Sequence, residues 1–216
     1  MNRAAKISLN SSSLRQDLFW LAPLGCLMLG LSFLTSRVVS VNENFPLFLI
    51  AYFMMGIVYV VASYLTVTRP AQRASLWIMV GFAIAMRISF LDTKPVLSDD
   101  IFRYVWDGRV QKAGINPYLY PPIALELSQL RDHGCESINN KEISTVYPPL
   151  MEMVFLAAVT FSESLVTMKL VFVVCDLALL FVLIRLLEAI GQNPMRTLIY
   201  AWSPLVIVEI SGSGHN

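Results

Sequence analysis

Apolar residues fall along the chain in long runs separated by short polar stretches. The runs lie at about 18–36, 47–67, 75–91, 165–187 and 197–210, with a shorter one at 150–161. A helix of about 20 apolar residues crosses the roughly 30 Å hydrocarbon layer of a bilayer. The pattern therefore predicts an all-α, polytopic membrane protein with a single membrane domain over 1–216. Segment 150–161 is the doubtful span, because about 12 residues make a helix of only about 18 Å.

Between the third and fourth runs lies a polar segment, 92–147, that contains Phe102, Tyr104, Trp106, Tyr118, Tyr120 and Tyr147. Loops of this length are functional or disordered far more often than idle, and the aromatic content argues for order. Phe102, Val105, Trp106 and Val110 recur at the spacing of one helix face, which predicts an amphipathic helix. Asp99, Arg103 and Asp107 stack at steps of four on another face, where such pairs support a helix.

Composition reinforces the membrane reading. The chain is 56% hydrophobic and 14% charged, with a mean hydropathy of +0.62, against roughly 45–50% and about 25% for soluble domains. A net charge of +1 argues against a nucleic-acid or acidic protein partner. Arg3, Lys6, Arg15, Arg69 and Arg73 flank the first three runs and, by the excess of basic residues on cytoplasmic loops, place the N-terminus inside. The first run follows a long lead and precedes no small-residue cleavage site, so it reads as a retained anchor. Three crossings then put 92–147 on the outer face. Cys26 and Cys175 lie in apolar runs and Cys135 stands alone, which leaves no disulfide pair. With His133 and His215 as the only histidines, no zinc spacing exists.

Ser98-Asp99-Asp100 opens the helix of the polar segment. A serine followed by two acids is how an ordinary helix is capped and favoured by its dipole. The same residues also offer an accessible carboxylate that could act as a general base on a hydroxyl. The spacing leaves both readings open.

The run Ser98-Asp99-Asp100-Ile101-Phe102-Arg103-Tyr104-Val105-Trp106-Asp107-Gly108-Arg109, followed by Gly114-Ile115-Asn116-Pro117-Tyr118 and Tyr147-Pro148-Pro149-Leu150, resembles the first outer loop of GT-C glycosyltransferases. It is most similar to bacterial multi-spanning mannosyltransferase-like proteins, and more distantly to the catalytic subunit of GPI mannosyltransferase I. The likeness runs from about Leu97 to the end, through Trp202-Ser203-Pro204-Leu205 and Gly212-Ser213-Gly214-His215-Asn216. It implies an inverting hexosyltransferase, mannose being the expected sugar, with a polyprenyl-phosphate donor and a lipid or glycan acceptor. It also implies a multi-pass protein of the bacterial inner membrane. Asp100 or Asp99 is the implied base. Arg87, Arg103, Arg109, Tyr147 and His215 are the expected contacts of the donor phosphate and substrate. A divalent cation could sit beside the paired acids, although no ligand set calls for one. Relatives are expected to continue past Asn216 with an acid and further spans, so the chain reads as the N-terminal portion of a longer enzyme.

Several residues carry two readings. Arg87 can snorkel to lipid headgroups or clamp a phosphate with its bidentate guanidinium. Asp176 is an ionisable group midway along an apolar run and calls for a partner. Lys169 lies two turns away on the same face, and a residue of another span is the alternative. His215 ends a Gly-Ser-Gly turn that is either an ordinary loop or a ligand contact. If all six runs span, His215 returns to the cytoplasm while Arg185 and Arg196 face outward; if 150–161 dips in and returns, those arginines are inside and His215 meets the Asp99 loop. The rival function is a non-catalytic membrane protein, either an assembly partner or a transporter half using Asp176. Transporters of that kind carry internal repeats, and no segment here is repeated.

Overall fold

The computed structural model describes residues 11–42, 45–69, 73–95 and 97–215. Arg3, Lys6 and Asn216, and the side chains of Arg15, Arg73 and His133, lie outside what is described. The described residues form helices and turns with no strand, and the chain is an all-α polytopic membrane protein. Its long helices are α1 (Ser11–Asn42), α2 (Phe45–Thr68), α3 (Arg73–Ile88), α4 (Asp100–Lys112), α5 (Pro149–Phe161) and α6 (Leu165–Ala189). Among the described residues three stretches, Asp17–Val38, Phe45–Thr68 and Leu165–Ala189, are long and apolar enough to cross a bilayer. Helix α3 has 16 residues, about 24 Å.

Helix α2 shows why these helices suit lipid. One face buries Phe48, Ala51, Met55, Val58 and Ala62, while the other exposes Ile50, Phe53, Ile57, Val60 and Tyr64. Both faces are apolar, the mark of a helix between protein and hydrocarbon. Exposed apolar residues gain nothing from each other in lipid, so packing and polar contacts must hold the bundle.

The central polar contact joins α3, α6 and the last segment of the chain. Arg87, fully buried, donates through Nε to Asp176 Oδ2. Its Nη1 donates to Ala83 O at 3.1 Å and to Ala201 O at 2.8 Å, and the Tyr200 hydroxyl donates to Asp176 Oδ1. The partner of Asp176 is thus a residue of another span rather than Lys169. Lys169 instead donates to Phe90 O at 3.3 Å and Thr93 O at 2.7 Å, where it ties down the chain just after α3.

The apolar run 197–210 is broken rather than continuous. It passes through a 3-10 turn (Pro194–Thr197), α7 (Leu198–Ala201), α8 (Pro204–Val206) and a π-helical turn (Ile207–Ser213). Pro204 has no N–H and cannot continue the helix that precedes it. The Ser203 N–H bonds Tyr200 O at 3.2 Å and not Ile199 O. Tyr59 Oη donates to Ile199 O at 3.0 Å and Arg87 Nη1 to Ala201 O at 2.8 Å. Broken helices are tolerated at membrane depth only when side chains satisfy the freed carbonyls in this way.

Helix α4 is buried nearly all round. Its apolar face is covered as the periodicity predicts, and Arg103 and Asp107 on the other face are also buried, at 7% and 1% exposure. The 113–147 chain and α5 fold over that second face. Both ends of α5 touch α4: Gln111 Nε2 meets Glu152 at the start, and Lys112 Nζ reaches Val159 O at 3.5 Å near the end. Between them the backbones meet at Gly108, where a Cβ would lie 2.7 Å from Phe155 O. Tyr104 stacks on Phe155 at 4.6 Å, and Phe172 of α6 closes on it edge-on at 5.7 Å.

Removing one partner of a buried ion pair leaves an uncompensated charge, at a cost of about 3–5 kcal/mol. Asp176→Ala is expected to lower stability by that order in detergent thermal unfolding. Asp176→Leu combined with Arg87→Met should recover most of the loss, because no buried charge remains.

Candidate active site

The first residues of α4 and the end of the chain meet. The π-helical turn finishes at Gly214, whose φ of +66° is the left-handed conformation open to glycine. A side chain there would also strike Ile101 Cδ1 at 2.4 Å. The Leu97 N–H donates to Ser213 Oγ at 2.9 Å. With the segment pinned on both sides, His215 Nε2 comes to 3.4 Å from Asp100 Oδ2. Its Nδ1 lies 3.8 Å from Glu209 Oε2, and its backbone N–H donates to Glu209 O at 3.0 Å.

The paired acids do not cap the helix. Asp99 occupies the N-cap position without a side-chain capping bond, and its Oδ1 accepts from Asn139 Nδ2. Ser98 Oγ accepts from the Asp100 N–H at 3.3 Å. Asp100 is left as the first helical residue, where the helix dipole favours its charge. Its carboxylate is partly exposed, facing His215 and opening on a cleft formed with Arg103, Asn139, Ser144, Val146 and Tyr147.

The walls of this cleft are held from behind. Arg103 Nε donates to both oxygens of Asp107, at 2.8 and 3.0 Å, and its Nη2 donates to Ile143 O at 3.0 Å. Beneath it lies Glu152, 3% exposed, which accepts from Thr145 Oγ1 at 2.7 Å and from Gln111 Nε2 at 2.7 Å. Burial pushes Glu152 up to about 7, against the pull of the Thr145 bond and helped by the charge of Asp107. Asp107 is likewise raised by burial, in spite of Arg103. Tyr147 packs edge-on against Tyr104 and Phe155 at 5.0 and 5.5 Å. Burial, and then the Asp100 charge, push its hydroxyl up to about 12, so it stays protonated as a donor at the cleft.

The structure thus brings together Asp100, Arg103, Tyr147 and His215, with Asp99 on the adjoining Asn139 contact. It does not bring Arg87, which is paired with Asp176 inside the bundle. Arg109 lies farther along α4 and holds the loop closed, bonding Asp132 at 2.7 Å, Glu163 at 2.9 Å and Leu130 O at 3.1 Å. Sequence reasoning passed over Glu152, Asn139 and Glu209. For the two glutamates a signal existed, since each is an acid inside an apolar run. Asn139 had none. Among the described residues no group of three or more His, Cys, Asp and Glu side chains could hold a metal ion.

A family profile described as alpha-(1->6)-mannopyranosyltransferase, N-terminal domain, matches residues 19–216, nearly the whole chain. The chain belongs to that family. No curated protein and no solved structure matches it. The matched region includes α4, the cleft and the His215 turn, so the Asp100–His215 contact lies within a mannosyltransferase domain.

The buried carboxyl of Glu152 generates a pH test. Its value is raised from an ordinary 4.5 to about 7, so between those values the native state binds more protons than the unfolded chain. Stability from this group is complete below the unfolded value and is lost as pH rises through about 7. Asp107 acts with the same sign, whereas Asp132, lowered by Arg109, and Glu163, lowered by Lys112, act only at lower pH. The melting temperature is expected to be higher at pH 5 than at pH 8, and Glu152→Gln should shrink that difference.

Proposed function

We propose that the chain carries the catalytic front of a GT-C-type, inverting mannosyltransferase that uses a polyprenyl-phosphate mannose donor. The observation that carries this reading is the contact of Asp100 with His215 at a cleft within the mannosyltransferase domain. The family description supports a product with an alpha-(1->6) link. Inversion then requires a β-linked donor and a primary hydroxyl on a lipid- or glycan-borne mannose as acceptor. The end of the bundle that holds α4, α5 and His215 faces away from the cytoplasm. Arg69, Arg185 and Arg196 lie at the other end, in keeping with the excess of basic residues on cytoplasmic loops. Segment 150–161 does not cross, which agrees with α5 touching α4 at both of its ends.

In this reading Asp100 takes the proton from the acceptor hydroxyl. The oxygen forms a bond to the anomeric carbon, the bond from that carbon to the phosphate oxygen breaks, and the polyprenyl phosphate leaves. Arg103 supplies positive charge on the cleft wall for the departing phosphate, and Tyr147 offers a hydroxyl donor. The alternative of a transporter site at Asp176 finds no support in the geometry, since that carboxylate is fully engaged by Arg87 and Tyr200.

The test uses the full-length protein in proteoliposomes with radiolabelled polyprenyl-phosphate mannose and a mannose-terminated acceptor. A positioned general base contributes about 10²–10⁴-fold, so Asp100→Asn should lower transfer at least about 100-fold, with Asp99→Asn retaining most of it. Undiminished transfer by Asp100→Asn would remove Asp100 from the mechanism.

A further inference from the structure

Glu209 sits where an acid has no packing reason to be. It is in the π-helical turn, within the short apolar segment Pro204–Ser213. Its ion-pair contact among the described residues is His215, and its buried Oε2 accepts no hydrogen bond. Ionisable groups in apolar membrane segments mark function by default, and π-turns recur at functional sites. Its backbone carbonyl also holds the His215 N–H at 3.0 Å. The same residue therefore fixes the main chain of His215 and faces its ring.

From this geometry we infer that Glu209 is the positioning residue of the site: its carboxylate faces His215 Nδ1 at 3.8 Å, draws the ring proton to that side and leaves the Nε2 lone pair toward Asp100. The inference rests on the reading of Asp100 as the base. The proton that Asp100 removes from the acceptor hydroxyl passes to His215 Nε2, which regenerates the Asp100 carboxylate. The imidazolium so formed lies between two carboxylates, each within about 4 Å, and is stabilised by both. Glu209 itself neither gains nor loses a proton. Acting through the tautomer of a histidine in this way is how a buried acid commonly orients a catalytic imidazole.

The groups that face this imidazole are Asp100 from α4 and Glu209 from the π-turn, with Lys169 of α6 behind Gly214. Tyr147 lies beside Asp100, and Tyr52 of α2 beside Glu209. The Lys169 ammonium is turned away, onto Phe90 O and Thr93 O. The two carboxylates therefore dominate.

The experiment is nitrogen NMR of 15N-histidine-labelled full-length protein, with the His215 signal assigned by its loss in His215→Gln. In its neutral form the wild-type ring is expected to carry its proton on Nδ1. Glu209→Gln keeps an acceptor but removes the charge. It should preserve that tautomer. Glu209→Leu should lose the tautomer and lower kcat/KM about 10-fold or more. A wild-type ring protonated on Nε2 overturns the inference without any variant, as does a Glu209→Leu ring that keeps Nδ1–H. Failure of the Asp100 reading is separate: Asp100→Asn would then transfer normally while the Nδ1–H tautomer persists.

Discussion

Everything near the cleft depends on one buried ion pair. Moving a guanidinium or a carboxylate out of water costs several kcal/mol after relaxation, and only close pairing with further hydrogen bonds offsets that cost. Arg87 and Asp176 meet this demand only if α3, α6 and the break at Ser203-Pro204 converge on one point. Lys169 adds a second point about two turns along α6, where it grips the chain leaving α3. These two contacts fix where the polar segment starts and where the last segment rises, so the two sides of the cleft reach the same place.

The cleft itself is built differently. Its floor is not lipid-facing packing but a chain of charges and hydrogen bonds running from Arg103 through Asp107 to Glu152, Thr145 and Gln111. Such a network is rigid when fully satisfied. A ligand entering the cleft would meet a wall already in place, with its donors held before the ligand arrives. That is the condition under which polar groups stabilise developing charge without reorganising.

The fold class was legible because apolar runs of bilayer length are a strong one-dimensional signal, and the helix at Asp100 because its periodicity is local. The paired acids and His215 were singled out through the resemblance of their surroundings to a known family, and the structure brings Asp100 and His215 together. What was not legible depends on distant partners. Arg87 reads equally well as a headgroup contact until Asp176, 89 residues away, is seen beside it. Arg109 looks like a substrate contact until Asp132 and Glu163 close on it. Glu209 and Glu152 were hidden for another reason: a hydropathy window averages a single acid away, although that acid is the informative residue.

The π-turn before His215 closes its rings from residue i to i+5, one residue wider than an α-helix. Each residue of an α-helix turns the chain by about 100°, and each residue of the wider π-turn by somewhat less. A single-residue deletion between Ile207 and Ser213 would therefore swing everything after it by roughly a quarter turn. A swap of one apolar side chain for another there would leave the direction unchanged. The segment is constrained in its length more than in its letters, like a spacer cut to measure, and insertions or deletions are the changes to which this end of the molecule is least tolerant.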